Sequence, residues 1–216
     1  SVMGSTIGIL GLENGGRELA QMMGAMGCRV QVWRPDPEKA GAAPYPEAEL
    51  ETLCREIRET AALVREAGRR VQSVYIGGGT PTTLDENQLS RLLDTLEQSF
   101  DFSGLCEYTV EAGRPDTITQ GKLRVLRAAG VGRVSINPQS MDDAVLAAIG
   151  RRHVACDVLR AYDEARRAGF AGINMDVIAG LSGDTPDSFA RTVDTLIGLA
   201  PENITVHTLA IKRGAD

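Results

Sequence analysis

The sequence predicts an α/β protein: a TIM-barrel-like repeat of about seven parallel strands with outer helices, preceded by a Rossmann-type βαβ unit. Apolar runs typical of buried strands alternate strictly with segments of helical periodicity, which favours parallel pairing and right-handed crossovers. Polar residues recur at or near the strand ends, at Glu111, Gln139, Asp176 and His207. Because polar side chains collect at the mouth of a barrel, a closed or nearly closed barrel fits better than an open doubly wound sheet, which stays open as an alternative.

The first element of this pattern is a βαβ unit within residues 5–40. Residues 6–12, TIGILGL, have the continuous apolar character of a buried parallel strand, and CRVQVW at 28–33 is the second strand. The helix between them is predicted from apolar residues at helical spacing, namely Leu19, Met22, Met23 and Met26.

The turn after the first strand, GLENGG, comes close to the dinucleotide-binding fingerprint GxGxxG. Gly11 and Gly16 occupy the first and third glycine positions, but Glu13 replaces the middle glycine. That glycine lets the backbone touch a pyrophosphate, and a carboxylate there adds bulk and like charge. Arg34 stands where an acidic residue would hold a ribose, and is at best a partner for a 2′-phosphate. We therefore predict a degenerate dinucleotide turn and do not expect NAD(P) to bind.

This opening resembles the nucleotide-binding unit of NAD(P)-dependent dehydrogenases of the 2-hydroxyacid and β-hydroxyacid type. The resemblance is carried by IGILGL and GRELAQMMGAMGCRVQVW and ends near Ala40. The next segment, RPDPEKAGAAPYPEAEL, is rich in proline, alanine and glycine, which predicts a loop or seam.

From Pro46 onward the alternation of helix and strand is regular. An amphipathic helix is expected to begin at Pro46 and to stop at Gly68. Asp85 followed by Gln88 predicts a capped start for the second helix, and Gly130 is expected to close the third. The predicted strands are 71–76, 105–110, 133–137, 172–181 and 203–209, and the predicted helices are 46–68, 85–100, 119–129, 142–168 (long or broken) and 186–199.

The stretch Ser73–Pro81, SVYIGGGTP, predicts a ligand site. It joins a strand to Gly77, Gly78 and Gly79 and then to Thr80. Glycines at a strand end let a ligand approach the backbone closely, and ligands of parallel α/β sheets bind at that edge. The competing interpretation is a tight turn that needs positive φ angles.

Charge and composition limit the partners. The net charge of −6 and the aromatic content of 4% argue against nucleic acid or an anionic membrane as the main partner. No apolar run approaches the roughly 20 residues of a membrane span, and the opening lacks the pattern of a signal peptide. We predict a cytoplasmic protein that folds as a single α/β domain over residues 1–216, with a small molecule as its candidate ligand.

Cysteines and histidines do not predict a metal site. Two histidines, His153 and His207, are too few for a histidine-based site without carboxylate help. No CxxC or CxxxCxxC spacing joins the cysteines, so reduced, buried thiols are expected at Cys28, Cys54, Cys106 and Cys156.

Residues from about 46 to 213 resemble the radical S-adenosylmethionine barrel of oxygen-independent coproporphyrinogen III oxidases, especially the coproporphyrinogen dehydrogenase branch. The resemblance is carried by YIGGGTPTTL, TVEAGRPDTIT, GVGRVSINPQSMDD, IGRRH, INMDVIAGLSGDT and ENITVHTLAIKR, in the family's order and spacing. It implies that Arg151 pairs with the methionine carboxylate and that Gln139 and Asp176 face the ribose. The implied partners of the methionine amino group are Gly77, Gly78, Gly79, Thr80 and Glu111.

These assignments also make chemical sense residue by residue. A carboxylate suits an ammonium, a guanidinium suits a carboxylate, and Asp or Gln suits sugar hydroxyls. Simpler interpretations stay open: a solvated pair for Arg151 and Arg152, a helix cap for Gln139, and an acceptor of backbone amides for Asp176. His207 is interpreted as a hydrogen-bonded barrel histidine and not as a ligand.

The sequence departs from this family at the iron–sulfur cluster. The resemblance implies a [4Fe–4S] cluster held by CxxxCxxC after the first barrel strand, but the dehydrogenase-like unit stands in that place. We therefore predict that the cluster is absent and that the chain has no catalytic and no metal-binding residues. The leading hypothesis is an engineered or recombined chimeric scaffold without turnover, with S-adenosylmethionine as the ligand that it could retain.

Two enzymatic alternatives stay open. One is a radical S-adenosylmethionine oxidoreductase acting on coproporphyrinogen III, and the other is an NAD(P)-dependent oxidoreductase. The sequence leaves the oligomeric state undetermined, although an open barrel would expose a parallel edge that favours a homodimer.

Overall fold

The computed structural model describes residues 6–10, 29–33 and 47–209. The chain divides into two compact units, 1–107 and 108–216. Both contain strands and helices among the described residues, and every strand pair with a recorded register is parallel. The predicted α/β class with a parallel sheet is confirmed, while a single domain over the whole chain stays a prediction.

Strands β1 (Thr6–Leu10) and β2 (Arg29–Trp33) belong to the first unit and pair in parallel. Among the described residues they form a two-stranded sheet of their own, and the five later strands form a second sheet. The described residues therefore do not show the predicted array of about seven strands. Gly11 and Gly16, the helix predicted between these strands and the seam near residue 40 lie outside the described residues.

The first unit continues with α1 (Glu47–Glu66), β3 (Ser73–Ile76) and α2 (Glu86–Ser99). Gly68 closes α1 with a positive φ of 63°, and the N–H of Arg69 donates to the carbonyl of Val64 across that turn. Glycine adopts the left-handed backbone conformation at little energetic cost, which is why the helix ends there.

Helix α2 begins with the predicted capping box. The Asp85 carboxylate accepts a hydrogen bond from the Gln88 N–H at 2.8 Å, and the Gln88 side chain accepts one from the Asp85 N–H at 3.3 Å. Helices α1 and α2 pack together, with Cys54 buried on α1 and Leu89 on α2.

The second unit is built on four parallel strands that lie side by side in chain order. Their apolar side chains are buried on one face of the sheet, as at Ile136, Ile173 and Met175, and α5 packs on β5. The elements are β4 (Glu107–Ala112), α3 (Gln120–Ala128), β5 (Arg133–Gln139), α4 (Asp143–Ala148), α5 (Ala155–Arg167), β6 (Gly172–Ala179), α6 (Pro186–Leu199) and β7 (Asn203–Thr208).

The helical region predicted over 142–168 is broken into α4 and α5. Gly150 ends the first helix with a φ of 72°. The second helix starts where the Asp157 carboxylate accepts from the Val154 N–H at 3.1 Å, and the Asp143 carboxylate accepts from the Ala155 N–H at 2.8 Å. The intervening residues, 149–154, form a connection between the two helices.

No helix among the residues that the structure describes combines the length and the apolar character needed to cross a membrane.

An ion pair anchors the start of β6 to α5. Arg166 Nη2 lies 2.9 Å from Glu202 Oε1, and the Ile173 N–H donates to Glu202 Oε2 at 2.8 Å. Arg166 Nε also donates to the Tyr162 hydroxyl at 2.9 Å. Burial opposes the charge of Glu202, but hydrogen bonds from Arg166 and Ile173 outweigh it and hold the pKa of this carboxyl below its ordinary value.

The lowered pKa of Glu202 predicts an acid-dependent contribution to stability. A carboxyl whose folded-state pKa is depressed stabilises the fold above its unfolded-state pKa, and this contribution is lost as the pH falls through the folded-state value. Glu202→Gln is therefore expected to lower the free energy of unfolding near neutral pH and to change it little well below the folded-state pKa. The effect should be modest because the Glu202 side chain is 47% exposed and solvent screens the pair.

Urea denaturation near neutral pH and again well below the folded-state pKa of Glu202 measures this effect. Asp163→Asn is the control, because its carboxylate forms an exposed pair with Arg167 and should contribute little at either pH. An equal loss for Glu202→Gln at both pH values would contradict the prediction, since it would show that the charge is not what stabilises the fold.

Candidate functional site

One face of the second unit's sheet carries a continuous row of polar side chains. Its members on each strand are two residues apart and so point to the same side. Register pairing places Ser135 beside both Glu111 and Asn174, and Asn174 beside Asn203. We call this set the polar face, and its members are Glu111, Ser135, Asn137, Asn174, Asp176, Asn203 and Thr205.

Asn174 is the centre of the hydrogen bonds on the polar face. Its Nδ2 donates to Ser135 Oγ at 2.8 Å and to Asp176 Oδ1 at 2.5 Å. Its Oδ1 accepts from Thr205 Oγ1 at 3.0 Å and from Asn203 Nδ2. The side chain is buried, and these four bonds use both donors and both acceptor positions of its amide.

The same network reaches Glu111 through Asn137. Ser135 Oγ donates to Asn137 Oδ1 at 3.0 Å, and Asn137 Nδ2 donates to Glu111 Oε1 at 3.0 Å. A Cβ at Gly113 would come within 3.3 Å of Glu111 Oε1 and 3.4 Å of Asn137 Nδ2. The absence of a side chain at Gly113 therefore leaves room for this pair.

Asp176 lies within β6, as predicted, and its side chain is partly exposed. Asn174 orients its Oδ1, while its Oδ2 lies 3.9 Å from His207 Nε2. The His207 side chain is 57% exposed. Asp176 thus has one oxygen fixed by the network, and its second oxygen receives no hydrogen bond from the described residues.

Gln139 is the last residue of β5 and is paired in register with Val177, the neighbour of Asp176. Its side chain is buried, and its Oε1 has no hydrogen-bond partner among the described residues. It does not cap the next helix, because Asp142 does so by accepting from the Ala144 and Val145 N–H groups. A buried acceptor without a partner is costly in a folded protein and suits a ligand that donates.

Arg151 and its neighbour Arg152 differ in exposure. Arg151 is half-buried and Arg152 is exposed, so they do not form the solvated pair that the sequence left open. Burial and the like charge of Arg114 lower the pKa of Arg151, and Asp116 opposes that shift. No ion pair joins Arg151 to a carboxylate within the described part of the chain, and a partly buried cation beside another cation favours an anionic ligand.

The glycine turn predicted as a ligand site follows β3 in the first unit. Gly78 and Gly79 have φ values of 81° and 58°, and Thr80 precedes a short 3₁₀ turn, Pro81–Thr83. The positive φ angles confirm that the turn needs glycine. Whether Gly77, Gly78, Gly79 and Thr80 bind a ligand stays a prediction.

The structure joins two of the predicted site residues, Glu111 and Asp176, in one hydrogen-bonded network. Sequence reasoning missed five other members of the polar face, although a signal was present. Polar residues alternate with apolar ones inside three strands, as SIN, NMD and NIT. The missed residues are Ser135, Asn137, Asn174, Asn203 and Thr205.

The described residues hold no cluster of three Cys, His, Asp or Glu side chains that could bind a metal ion. Cys54 is buried as expected, but Cys106 and Cys156 are exposed, so the prediction of buried thiols is wrong for both. Cys28 lies outside the described residues.

Fold and site together define an α/β protein with a candidate small-molecule site on its parallel sheet. The sequence profile of the Radical SAM superfamily matches residues 43–196, which is most of the chain. The chain belongs to the radical S-adenosylmethionine (SAM) superfamily.

Three similar proteins show which members of the superfamily this chain resembles. The oxygen-independent coproporphyrinogen-III oxidase-like protein HemZ of Bacillus subtilis is 40% identical over 162 residues, covering 74% of this chain and 32% of that protein. The heme chaperone HemW of the same organism is 37% identical over 143 residues, covering 66% of this chain and 38% of that protein. The structure of coproporphyrinogen III oxidase (HemN) from Escherichia coli, described as a radical SAM enzyme, matches with a TM-score of 0.70 and 33% identity, covering 83% of this chain and 39% of that one.

These findings correct the leading hypothesis from the sequence. An engineered or recombined chimera without turnover is wrong, because most of the chain matches one natural superfamily and its coproporphyrinogen oxidase relatives. Neither the comparisons nor the described residues support a dehydrogenase component. The local βαβ pattern led to the wrong hypothesis of a dehydrogenase component because short stretches of α/β proteins resemble one another across families.

The predicted absence of the [4Fe–4S] cluster is also wrong, because it conflicts with membership of the radical SAM superfamily. That prediction relied on the lack of CxxxCxxC in a chain that spans only 32% to 39% of the length of the proteins it matches. A motif missing from a chain that matches about a third of its relatives' length does not decide the cofactor.

Proposed function

We propose that this chain is the SAM-binding part of a radical SAM oxidoreductase that acts on coproporphyrinogen III. Membership of the superfamily supports the chemistry, and the likeness to HemZ and HemN supports the substrate. The structural observation that carries the proposal is the buried Gln139 Oε1, for which the described residues supply no hydrogen-bond donor.

The chemistry of these groups suits SAM. Amide and carboxylate oxygens accept from the hydroxyls of a ribose, which is the role proposed for Gln139 and Asp176. The partly buried Arg151 guanidinium offers paired N–H donors to the methionine carboxylate. The Glu111 carboxylate, held through Asn137, suits the methionine ammonium. Gly77, Gly78, Gly79 and Thr80 are retained in the proposal on the resemblance alone.

When bound, SAM supplies the sulfonium group on which the radical chemistry of the superfamily depends. The residues of this chain would bind and orient it. Asn174 fixes the Asp176 carboxylate through a network whose other members Ser135 and Asn137 are also buried. No set of described residues fits a [4Fe–4S] cluster.

The first test is SAM binding by isothermal titration calorimetry. We expect saturable binding, and Asp176→Asn should weaken it by about tenfold because a hydrogen bond to a charged group contributes roughly 1.5 kcal/mol or more. Asp163→Asn, on the exposed face of α5, should leave the affinity unchanged. Absence of saturable binding by the unaltered chain would overturn the proposed function.

The second test concerns the substrate. Titrated anaerobically in the presence of SAM, the protein is expected to bind coproporphyrinogen III saturably and in preference to haem. Saturable binding of haem with no binding of coproporphyrinogen III would overturn the substrate assignment and favour a function like that of the heme chaperone HemW.

A further inference from the structure

Gln139 holds an unfavourable backbone conformation at the end of β5. Its φ of 66° lies in the left-handed region, which residues with a Cβ rarely adopt. Its side chain is 8% exposed, and its amide oxygen has no partner among the described residues. A residue with both features persists only where its surroundings fix it. Contacts of the adjacent residues must therefore hold the bend at residues 138–142, which we call the Gln139 corner.

The contacts on the amino-terminal side come from His153. Its Nε2 lies 3.2 Å from the carbonyl oxygen of Pro138, the residue before Gln139. A carbonyl only accepts, so the proton must be on Nε2 for this hydrogen bond to form. His153 is 2% exposed, and the bond occurs at the register shift in the pairing of β5 with β6.

The contacts on the carboxyl-terminal side come from α6 and from the turn itself. The Met141 N–H donates to Thr192 Oγ1 at 3.1 Å, and the Asp142 N–H donates to Ser140 Oγ at 3.1 Å. Hydrogen bonds therefore hold the Gln139 corner on both sides. One of them comes from His153, which lies in the same connection between α4 and α5 as Arg151.

We propose that His153 is a positioning residue that holds Gln139 in its left-handed, buried orientation. His153 lies in the connection between α4 and α5, two residues after Arg151. This inference rests on the proposed SAM site.

The first experiment tests positioning without a ligand. The side-chain amide signals of Gln139 in a ¹⁵N–¹H spectrum, assigned by their loss in Gln139→Ala, are expected to move in His153→Ala and to return towards their original positions in His153→Gln, which restores an N–H donor. Leu126→Ala, a buried change on α3, is the control for general destabilisation and should leave those signals in place. Unmoved Gln139 signals in a folded His153→Ala protein would overturn the proposal.

The second experiment tests coupling through SAM affinity. His153→Ala is expected to weaken SAM binding by about tenfold, and Gln139→Ala should weaken it similarly. The double variant should bind no more weakly than Gln139→Ala, because His153 acts through Gln139. Losses that multiply would overturn the proposal. If the unaltered chain does not bind SAM, the proposed function fails, and the spectrum of Gln139 still decides the role of His153.

Discussion

Replacing Arg151 with alanine is expected to weaken SAM binding by about 10- to 100-fold, because a hydrogen-bonded charge pair contributes roughly 1.5–3 kcal/mol. The guanidinium is half-buried, is close enough to Arg114 to feel its charge, and has no ion pair with a described carboxylate. An anionic ligand would therefore relieve an unfavourable arrangement as well as form new hydrogen bonds. Calorimetric titration of the variant and the unaltered chain measures the difference.

The adjacent residue supplies a matched control. Arg152→Ala removes the same charge from an exposed position and should change the affinity by less than about twofold, as expected for a solvated charge. Arg151→Lys keeps the charge but loses the forked geometry, so it should fall between the two. Equal losses for Arg151→Ala and Arg152→Ala would show that net charge, and not a specific pair, determines the affinity.

Asn174→Ala is expected to lower the free energy of unfolding by about 2–4 kcal/mol, because it leaves several buried polar groups unpaired. Asn174 connects Ser135 and Asp176 on one side to Asn203 and Thr205 on the other. The substitution removes the donor to Ser135 Oγ and Asp176 Oδ1. It also removes the acceptor for Asn203 Nδ2 and Thr205 Oγ1. Urea denaturation measures the change.

Asn203 offers the comparison for this prediction. It lies at the exposed edge of the polar face, where water can replace the lost partner. Asn203→Ala should therefore cost about 1 kcal/mol or less. If Asn174→Ala also costs less than about 1 kcal/mol, water fills its place and the polar face is not the connected buried network described here.

Local chemistry explains which parts of the fold were predictable. Some features depend only on residues within a few positions of each other. Two of them occur where expected: the capping box of Asp85 and Gln88, and the helix ends at Gly68 and Gly130. The strand predicted over 105–110 begins and ends two residues later, which places Glu111 inside β4 and not after it. Strand ends shift in this way because pairing with a neighbouring strand, and not the strand's own sequence, sets them.

The candidate site was predictable only in part. Glu111 and Asp176 were identified because a carboxylate in or after an apolar strand is conspicuous, whereas Asn174 and Ser135 were overlooked because neutral polar residues inside a strand carry no charge signal. The error about the iron–sulfur cluster had a different origin. It drew a conclusion about the cofactor from a motif that is missing in a chain matching only 32% to 39% of its relatives' length.

The sequence by itself determined the alternation of strands and helices, the ends of several helices and the residue types on which a SAM site depends, since these follow from periodicity and from contacts within a few residues. Only the tertiary structure decided which polar side chains meet, such as Asn174 with Ser135 and His153 with Pro138, and which backbone conformation Gln139 adopts. Those contacts join residues 15 to 39 positions apart, and they depend on strand register and helix packing, which are set by the whole second unit at once.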